Sequence, residues 1–522
     1  MSIQLHKRFL AVKSKKHNWD DLYQDCFRYA APQRDTFFEN KTDGEKKDGK
    51  GEVYDSAAIT ALSKFASNIQ SALCPPQKVW AKRIPGSSVP KEDAKSFQEA
   101  LEFVDKVFFS AIAQSNFDVQ IGESFLDLGA GTGALLFQKG TIENPFSFVS
   151  IPLSQLYLEG GANGDITGVF RQHDVPIRSI QETWPDASLT DDMMQKMESR
   201  PDSVCSLIES TVQEDFEYID INRGAVKQQI KNGYVYRLMD EKSKTILLER
   251  KMRTNPWIIF RWSVMAGEVY GRGVLTQALP DIKSLNRVKE LILKNAALAV
   301  AGVWTAVDDG VMNVENIKFR PGSIIPVAHN EGSMQGASIA PLKPSGDFNV
   351  GQFVLEDLRK SINDMMFADP LGDIDLPVKS ATEISMRQQN FLRRIGSSYG
   401  RLQNELIIPI MNRGADILQE LGLLGDGSDL VIVDGRFVNV EYSSPLSNSS
   451  NNEDIMNVTR FFELTAGMLG PQAALAIMKP EMAEYIAQKL GLPLSLIKSS
   501  EEIKQVIEAL TQMMAAQQNA TV

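Results

Sequence analysis

Apolar residues recur at spacings of three and four through the first third of the chain and then give way to shorter apolar runs broken by glycine, so helices should come first and strands after. Residues 1–38 read as a helix, with Trp19, Leu22, Cys26, Phe27 and Tyr29 at helical spacing. A charged, glycine-bearing loop at 41–51 follows. The stretch 53–73 is helical again, carrying the stripe Ala58, Leu62, Phe65, Ile69 and Leu73, and Pro75 and Pro76 end it. Another helix is expected over 91–116. From Phe146 the pattern turns to β: runs at 146–160 and 166–177 flank a turn rich in glycine, including Gly160, Gly161 and Gly164. A helical interlude at 190–198 leads to a strand over 203–213, and 234–240 with 245–251 make a second hairpin.

The stretch 255–304 organises the rest. An apolar strand, Trp257 to Phe260, leads into a turn bounded by Gly267 and Gly273; Pro280 and Asp281 then suit the first turn of a helix. In that helix Ile282, Leu285, Val288, Ile292, Ala296 and Ala299 fall on one face, with Lys283, Arg287, Lys289, Glu290 and Lys294 mostly on the others. Short β-prone runs occupy 303–343. A second amphipathic helix at 348–366 has the stripe Val354, Leu358, Ile362 and Met365, and 367–379 breaks all periodicity. Ser380 and Glu383 make a capping box that opens a long helix to about residue 421, kinked at Pro409 and stopped by Gly422. A hairpin at 430–442 turning at Asp434 and Gly435, a polar linker at 443–452 and a helical C-terminal section complete an α+β chain.

The totals constrain what such a chain can do. Over 522 residues the apolar share is 43% and the charged share 23%, which suffices for a large core. The net charge of −11 argues against a tight, static grip on DNA, because phosphate contacts need Lys and Arg. It is compatible with a channel along which DNA slides without sticking. Three scattered cysteines, Cys26, Cys74 and Cys205, and four histidines with no ligand-like pairing give no metal or disulfide framework. The basic N-terminus (Lys7, Arg8, Lys13, Lys15, Lys16) lacks a signal-peptide core, and no apolar run reaches the ~18 residues of a membrane span.

One segment, 125–136, offers enzyme chemistry. Leu126-Asp127-Leu128-Gly129-Ala130-Gly131-Thr132-Gly133 has the form of the glycine loop that holds S-adenosylmethionine in methyltransferases, with Glu159 as the ribose-binding acid. That fold needs a buried strand before the glycines and a long helix after them. The polar lead-in at 120–124 and the early Gly140 disfavour both. The alternative is a helix end running into a strand. Asp369, Asp373 and Asp375 have some look of a calcium loop, but Pro370 and Pro377 break it. No Walker loop, nucleophile elbow or zinc-protease motif appears, so no catalysis and no cofactor are expected.

Arg261, Trp262, Gly267, Glu268, Tyr270, Gly271 and Gly273, followed by Leu279, Pro280, Asp281, Ile282, Leu285 and Asn286, resemble the portal (head-to-tail connector) proteins of short-tailed bacteriophages. Further matches lie at Tyr54 to Ser56, at Ala66 and Ser67, at Pro75, Pro76 and Trp80, at Thr382 and Glu383, and from Glu405 to Pro409. The resemblance implies a non-enzymatic portal fold: a wing over 1–279, a first stem helix at 280–302, a clip at 303–345, a second stem helix at 346–366, a tunnel loop at 367–379, a long helix and wing hairpin at 380–442, and a crown at 443–522. It further implies a dodecameric ring at one capsid vertex in the virion, assembled in the host cytoplasm without membrane association. Double-stranded DNA would pass through its channel during packaging and ejection. Its other partners would be the terminase motor, major capsid and scaffolding proteins, and a tail adaptor. Such a channel wants a few basic groups in an acidic wall. The expected DNA-facing residues are Arg359, Lys360, Asp369, Asp373, Asp375 and Lys379.

Overall fold

A computed structural model describes residues 2–34, 36–37, 53–90, 94–162, 164–220, 226–301, 304–306, 339–341, 348–368, 394–425, 433, 436–442, 455–461, 463–465 and 486. The order is α1 (Ser2–Ala30), α2 (Ala57–Leu73), β1 (Ala81–Pro85), α3 (Ala94–Gln114), α4 (Phe117–Ala130), β2 (Thr132–Lys139), β3 (Phe146–Ser150), β4 (Leu156–Gly160), β5 (Ile166–Pro176), α5 (Ile177–Thr183) and α6 (Asp191–Ser199). Then come β6 (Val204–Asp220), β7 (Val226–Asp240), β8 (Ile246–Met252), β9 (Trp257–Arg261), α7 (Val274–Ala301), β10 (Trp304–Ala306), β11 (Ile339–Pro341) and α8 (Phe348–Met365). The chain continues through α9 (Gly396–Leu402), a π-helical turn (Gln403–Ile407), α10 (Ile408–Glu420) and β12 (Val438–Tyr442). It is an α+β chain.

Four antiparallel sheets are built from these strands, the largest ordered β4-β5-β6-β7-β8 and a smaller one ordered β3-β2-β9. Both faces of the five-stranded sheet are covered, and the period of two explains how. Leu156, Val169, Leu207 and Leu238 join the main core. Their neighbours Tyr157, Phe170, Ile208 and Met239 face a second cluster made with Leu5, Phe9 and Val12 of α1. The basic character of α1 is thus partly internal: Lys16 is fully buried, and its Nζ donates to the carbonyls of Leu153 (2.8 Å) and Ser154 (2.9 Å).

Several expectations hold. The α2 stripe is buried in full, and Trp80, just beyond Pro75 and Pro76, packs on Phe108, Phe109 and Phe117. Thr190 caps α6 by accepting from the Met193 N–H, and the hairpin expected over 234–240 and 245–251 forms, from Tyr234↔Met252 to Met239↔Ile246. Other expectations need correcting. The first helix ends at Ala30, because Pro32 cannot continue it. Helix α7 starts at Val274, so Pro280 lies inside it rather than at its head, on the exposed side. Just before Pro409, where a kink was expected, the helix carries a π-turn in which the Ile408 N–H reaches back five residues to Gln403 O. The second strand of the 430–442 hairpin, β12, pairs with β1, from Ala81↔Tyr442 to Pro85↔Val438, while its expected mate at 430–432 lies outside the described residues. The capping box at 380–383 and the Asp434-Gly435 turn lie outside the described residues.

At the glycine segment the structure decides between the two readings, in favour of a helix end running into a strand. Residues 117–130 are helix and 132–139 strand, so the order is helix, glycine, strand, the reverse of a cofactor-binding strand–loop–helix. The reason is patterning: Phe117, Ile121, Phe125 and Leu128 make a helical stripe, buried throughout, that runs straight into the motif. A methyltransferase site is not supported.

Candidate functional site

The family-like residues converge on one corner where β9 turns into α7. Every residue of β9 is buried and pairs with β2, from Thr132↔Arg261 to Leu136↔Trp257. Arg261, at its end, is clamped by Glu405 of the π-turn. Its backbone N–H (2.9 Å) and Nε (3.2 Å) donate to Oε2, and Nη2 donates to Oε1 (2.7 Å). Its Nη1 reaches the Val269 carbonyl at 3.0 Å, so this one guanidinium joins strand, turn and long helix. The next residue, Trp262, is buried with its ring edge-on to Phe65 at 5.2 Å.

The turn itself is held from both sides. Glu268 and Arg272 pair at 2.7 Å; the guanidinium holds the Glu268 carboxyl below the usual range and stacks over Trp19 at 5.2 Å. The Tyr270 hydroxyl accepts from the Leu158 N–H (2.9 Å), and burial pushes its pKa up, keeping it neutral. Tyr23 donates to the Gly271 carbonyl at 2.7 Å.

The glycines of this corner meet those of the 126–136 segment backbone to backbone. A Cβ on Gly271 would lie 2.2 Å from the Gly131 oxygen, and one on Gly273 2.1 Å from the Gly129 oxygen. Gly131 itself has φ +147, a conformation few side chains tolerate, and faces Gly271 O at 2.1 Å from its own missing Cβ. Bonds from Trp262 N to Gly131 O (3.0 Å), from Gly273 N to Ala130 O (3.0 Å) and from Gly271 N to Thr132 Oγ1 (2.9 Å) lock the contact. The motif that imitates a cofactor loop is therefore one half of a packing joint. Gly267, with φ +88 and open space around it, serves only the turn.

From this corner α7 and α8 run antiparallel. Asp281 Oδ2 accepts from Ser361 Oγ (2.8 Å), and eleven residues further along α7, Ile292 packs on Gly351. Asn286 Oδ1 accepts from the Tyr54 N–H (2.8 Å), and Asp55 both holds Arg359 (2.5 Å) and accepts from the Ala57 N–H (3.0 Å) to start α2. Ile282 and Leu285 are buried and Val288 and Ile292 partly so, as the stripe predicted. β10 and β11 pair beyond the helix ends, Trp304↔Pro341.

The structure thus brings Arg261, Trp262, Glu268, Tyr270, Gly271 and Gly273 into one joint and places Asp281 and Asn286 as braces. Pro280 is exposed. Of the expected DNA-facing residues, Arg359 is half-buried against Asp55 and Lys360 is exposed, while Asp369, Asp373, Asp375 and Lys379 lie outside the described residues. Tyr23 and Ser361 were missed; single hydrogen-bonding residues on helices leave no periodic signal. Among the described residues no cluster of three or more His, Cys, Asp or Glu could hold a metal, and no helix is long and apolar enough to cross a membrane.

Comparison with known proteins places this architecture. Over 539 aligned residues the chain is 22% identical to the probable portal protein of Bordetella phage BPP-1, covering 99% of this chain and 92% of that one. Over 514 residues it is 20% identical to the portal protein of Enterobacteria phage T3, covering 95% and 88%. The sequence pattern of the bacteriophage head to tail connecting proteins matches residues 3–497, taking in the glycine joint, the Arg261 clamp and both braced rods. On that match the chain belongs to the head-to-tail connecting, or portal, proteins of bacteriophages.

Proposed function

We propose that the chain is one subunit of a closed, dodecameric ring at a capsid vertex, through which double-stranded DNA is packaged and ejected. The terminase motor and tail adaptor would dock on it, and major capsid and scaffolding proteins would direct its assembly in the host cytoplasm. In this reading 1–279 is the wing, with 280–302 and 346–366 as the stem pair. The clip is 303–345, the tunnel loop 367–379, the long helix and wing hairpin 380–442, and the crown 443–522. Lys360 and Lys379, with Arg359, would make the weak, repeated phosphate contacts that sliding requires, and Asp369, Asp373 and Asp375 would keep the wall around them acidic.

The observation that carries this reading is the outer surface of the α7–α8 pair. Both rods bury one stripe against each other, yet Leu291 (50% exposed), Leu293 (46%) and Phe353 (72%) stand in solvent. Burying such side chains is worth about 1.5–3 kcal/mol each, and a ring repeats that gain at every joint. Electron microscopy and mass photometry of the purified chain test it. Closed rings are expected, and the double variant Leu291→Asp, Phe353→Asp should remain a folded monomer by circular dichroism. A wild-type chain that stays monomeric at every concentration, even with its coat and scaffolding proteins, refutes the reading.

A further inference from the structure

A cleft of about 510 Å3 opens between the five-stranded and three-stranded sheets. Its size falls within the range of small-molecule sites. Leu136, Phe137, Trp184 and Met252 give it apolar walls, while Lys139, Arg250, Lys251 and Arg413 outnumber the one lining carboxylate, Glu420, in a protein of net charge −11.

Arg413, on α10, is the informative residue. Its side chain is 3% exposed and its charge is met on one side only: Nη1 donates to Thr254 Oγ1 and to Asp416 Oδ2, both at 3.1 Å. The other edge, Nε with Nη2, is the pair of parallel donors that matches two oxygens of a carboxylate or phosphate. Nη2 has only the Met252 sulfur at 3.7 Å, a weak acceptor, and the buried Nε has no acceptor at all. A buried guanidinium fork with an unmet edge is costly to fold unless something uses it. Lys139 adds a second charge, its Nζ 3.5 Å from Glu420 and its side chain 41% exposed.

We infer that this cleft binds a small organic anion, its phosphate or carboxylate held by Arg413 and Lys139 and its flat apolar part lying against Trp184 and Met252. Inorganic phosphate and adenosine monophosphate are suitable probes, titrated into the full-length protein by calorimetry and saturation-transfer NMR. Adenosine monophosphate should bind in the micromolar to millimolar range, with phosphate weaker. Arg413→Lys keeps the charge but loses the fork, and should weaken binding about tenfold or more. Should Arg413→Lys fail to fold, the exposed pair Lys139→Glu, Arg250→Glu carries the same test and should abolish binding. Absence of binding of both probes at 10-millimolar levels (about that, as a practical ceiling for weak anion sites), or unchanged affinity in a folded variant, overturns the inference.

Discussion

Gly273→Ala is the sharpest probe of the glycine joint. The added methyl would sit 2.1 Å from Gly129 O and 2.6 Å from two further backbone carbons, with no flexible side chain to move aside. Ordinary contact begins near 3.4 Å, so the two backbones must separate by about 1.3 Å. That displacement breaks the bonds from Gly273 N to Ala130 O and from Trp262 N to Gly131 O, both 3.0 Å. Each buried group left unmet costs about 1–3 kcal/mol, and overpacking adds about 1–3 kcal/mol. The variant should therefore lose about 4 kcal/mol or more, a large part of the ~5–15 kcal/mol that holds a typical domain. Gly267→Ala is the control: its φ of +88 carries strain of about 1 kcal/mol, but nothing lies within 4 Å of the added methyl. Urea unfolding followed by tryptophan fluorescence and circular dichroism measures both. If Gly273→Ala loses no more than Gly267→Ala, the joint is not what the glycines are for.

Three further expectations can be checked alongside it. Burial alone would raise the Glu209 pKa, but the buried groups His173 (3.1 Å), Arg171 (3.0 Å) and Tyr236 (2.6 Å) outweigh it and bring it from 4.5 to about 2. A lowered carboxyl stabilises the fold above the unfolded value and loses that contribution as pH falls from about 4.5 toward 2. The loss is about 3 kcal/mol, and Glu209→Gln should flatten the acid limb of the stability–pH curve. Glu405→Ala leaves the Arg261 guanidinium with carbonyl acceptors only and should cost about 3 kcal/mol in urea melts, more than Glu268→Ala at the more exposed Arg272 pair. Calorimetric titration of S-adenosylmethionine should give no binding heat, since the 126–136 segment is spent on internal packing; saturable binding would restore the enzyme reading.

Local patterns carried most of the helices and the long hairpins, because a stripe such as Ala58 to Leu73 reports burial directly. What they could not carry was pairing across the chain. The glycines at 129–133 left a ligand loop open as a minor reading because their partner, the Gly271–Gly273 turn, lies about 140 residues away. Arg261 is separated from Glu405 by 144 positions, and nothing at either position alone announces the pair. Residue type misled in the same way at Pro280, where a first-turn preference was read as a start although the stripe extends back to Val274. At the Arg413 cleft the sequence shows only a helical arginine, and its unmet edge exists only once Met252 and Thr254 have been brought beside it.

The pairing of residues 81–85 with 438–442 also fixes an order of events during synthesis. The earlier strand emerges from the ribosome more than 350 positions before its mate, and at ~5–20 residues per second that is a delay of tens of seconds. Throughout that interval its hydrogen-bonding edge stands open to neighbouring nascent chains. A truncation that stops before residue 438 would make the exposure permanent, and such fragments should precipitate even though the greater part of the core-forming sequence is present.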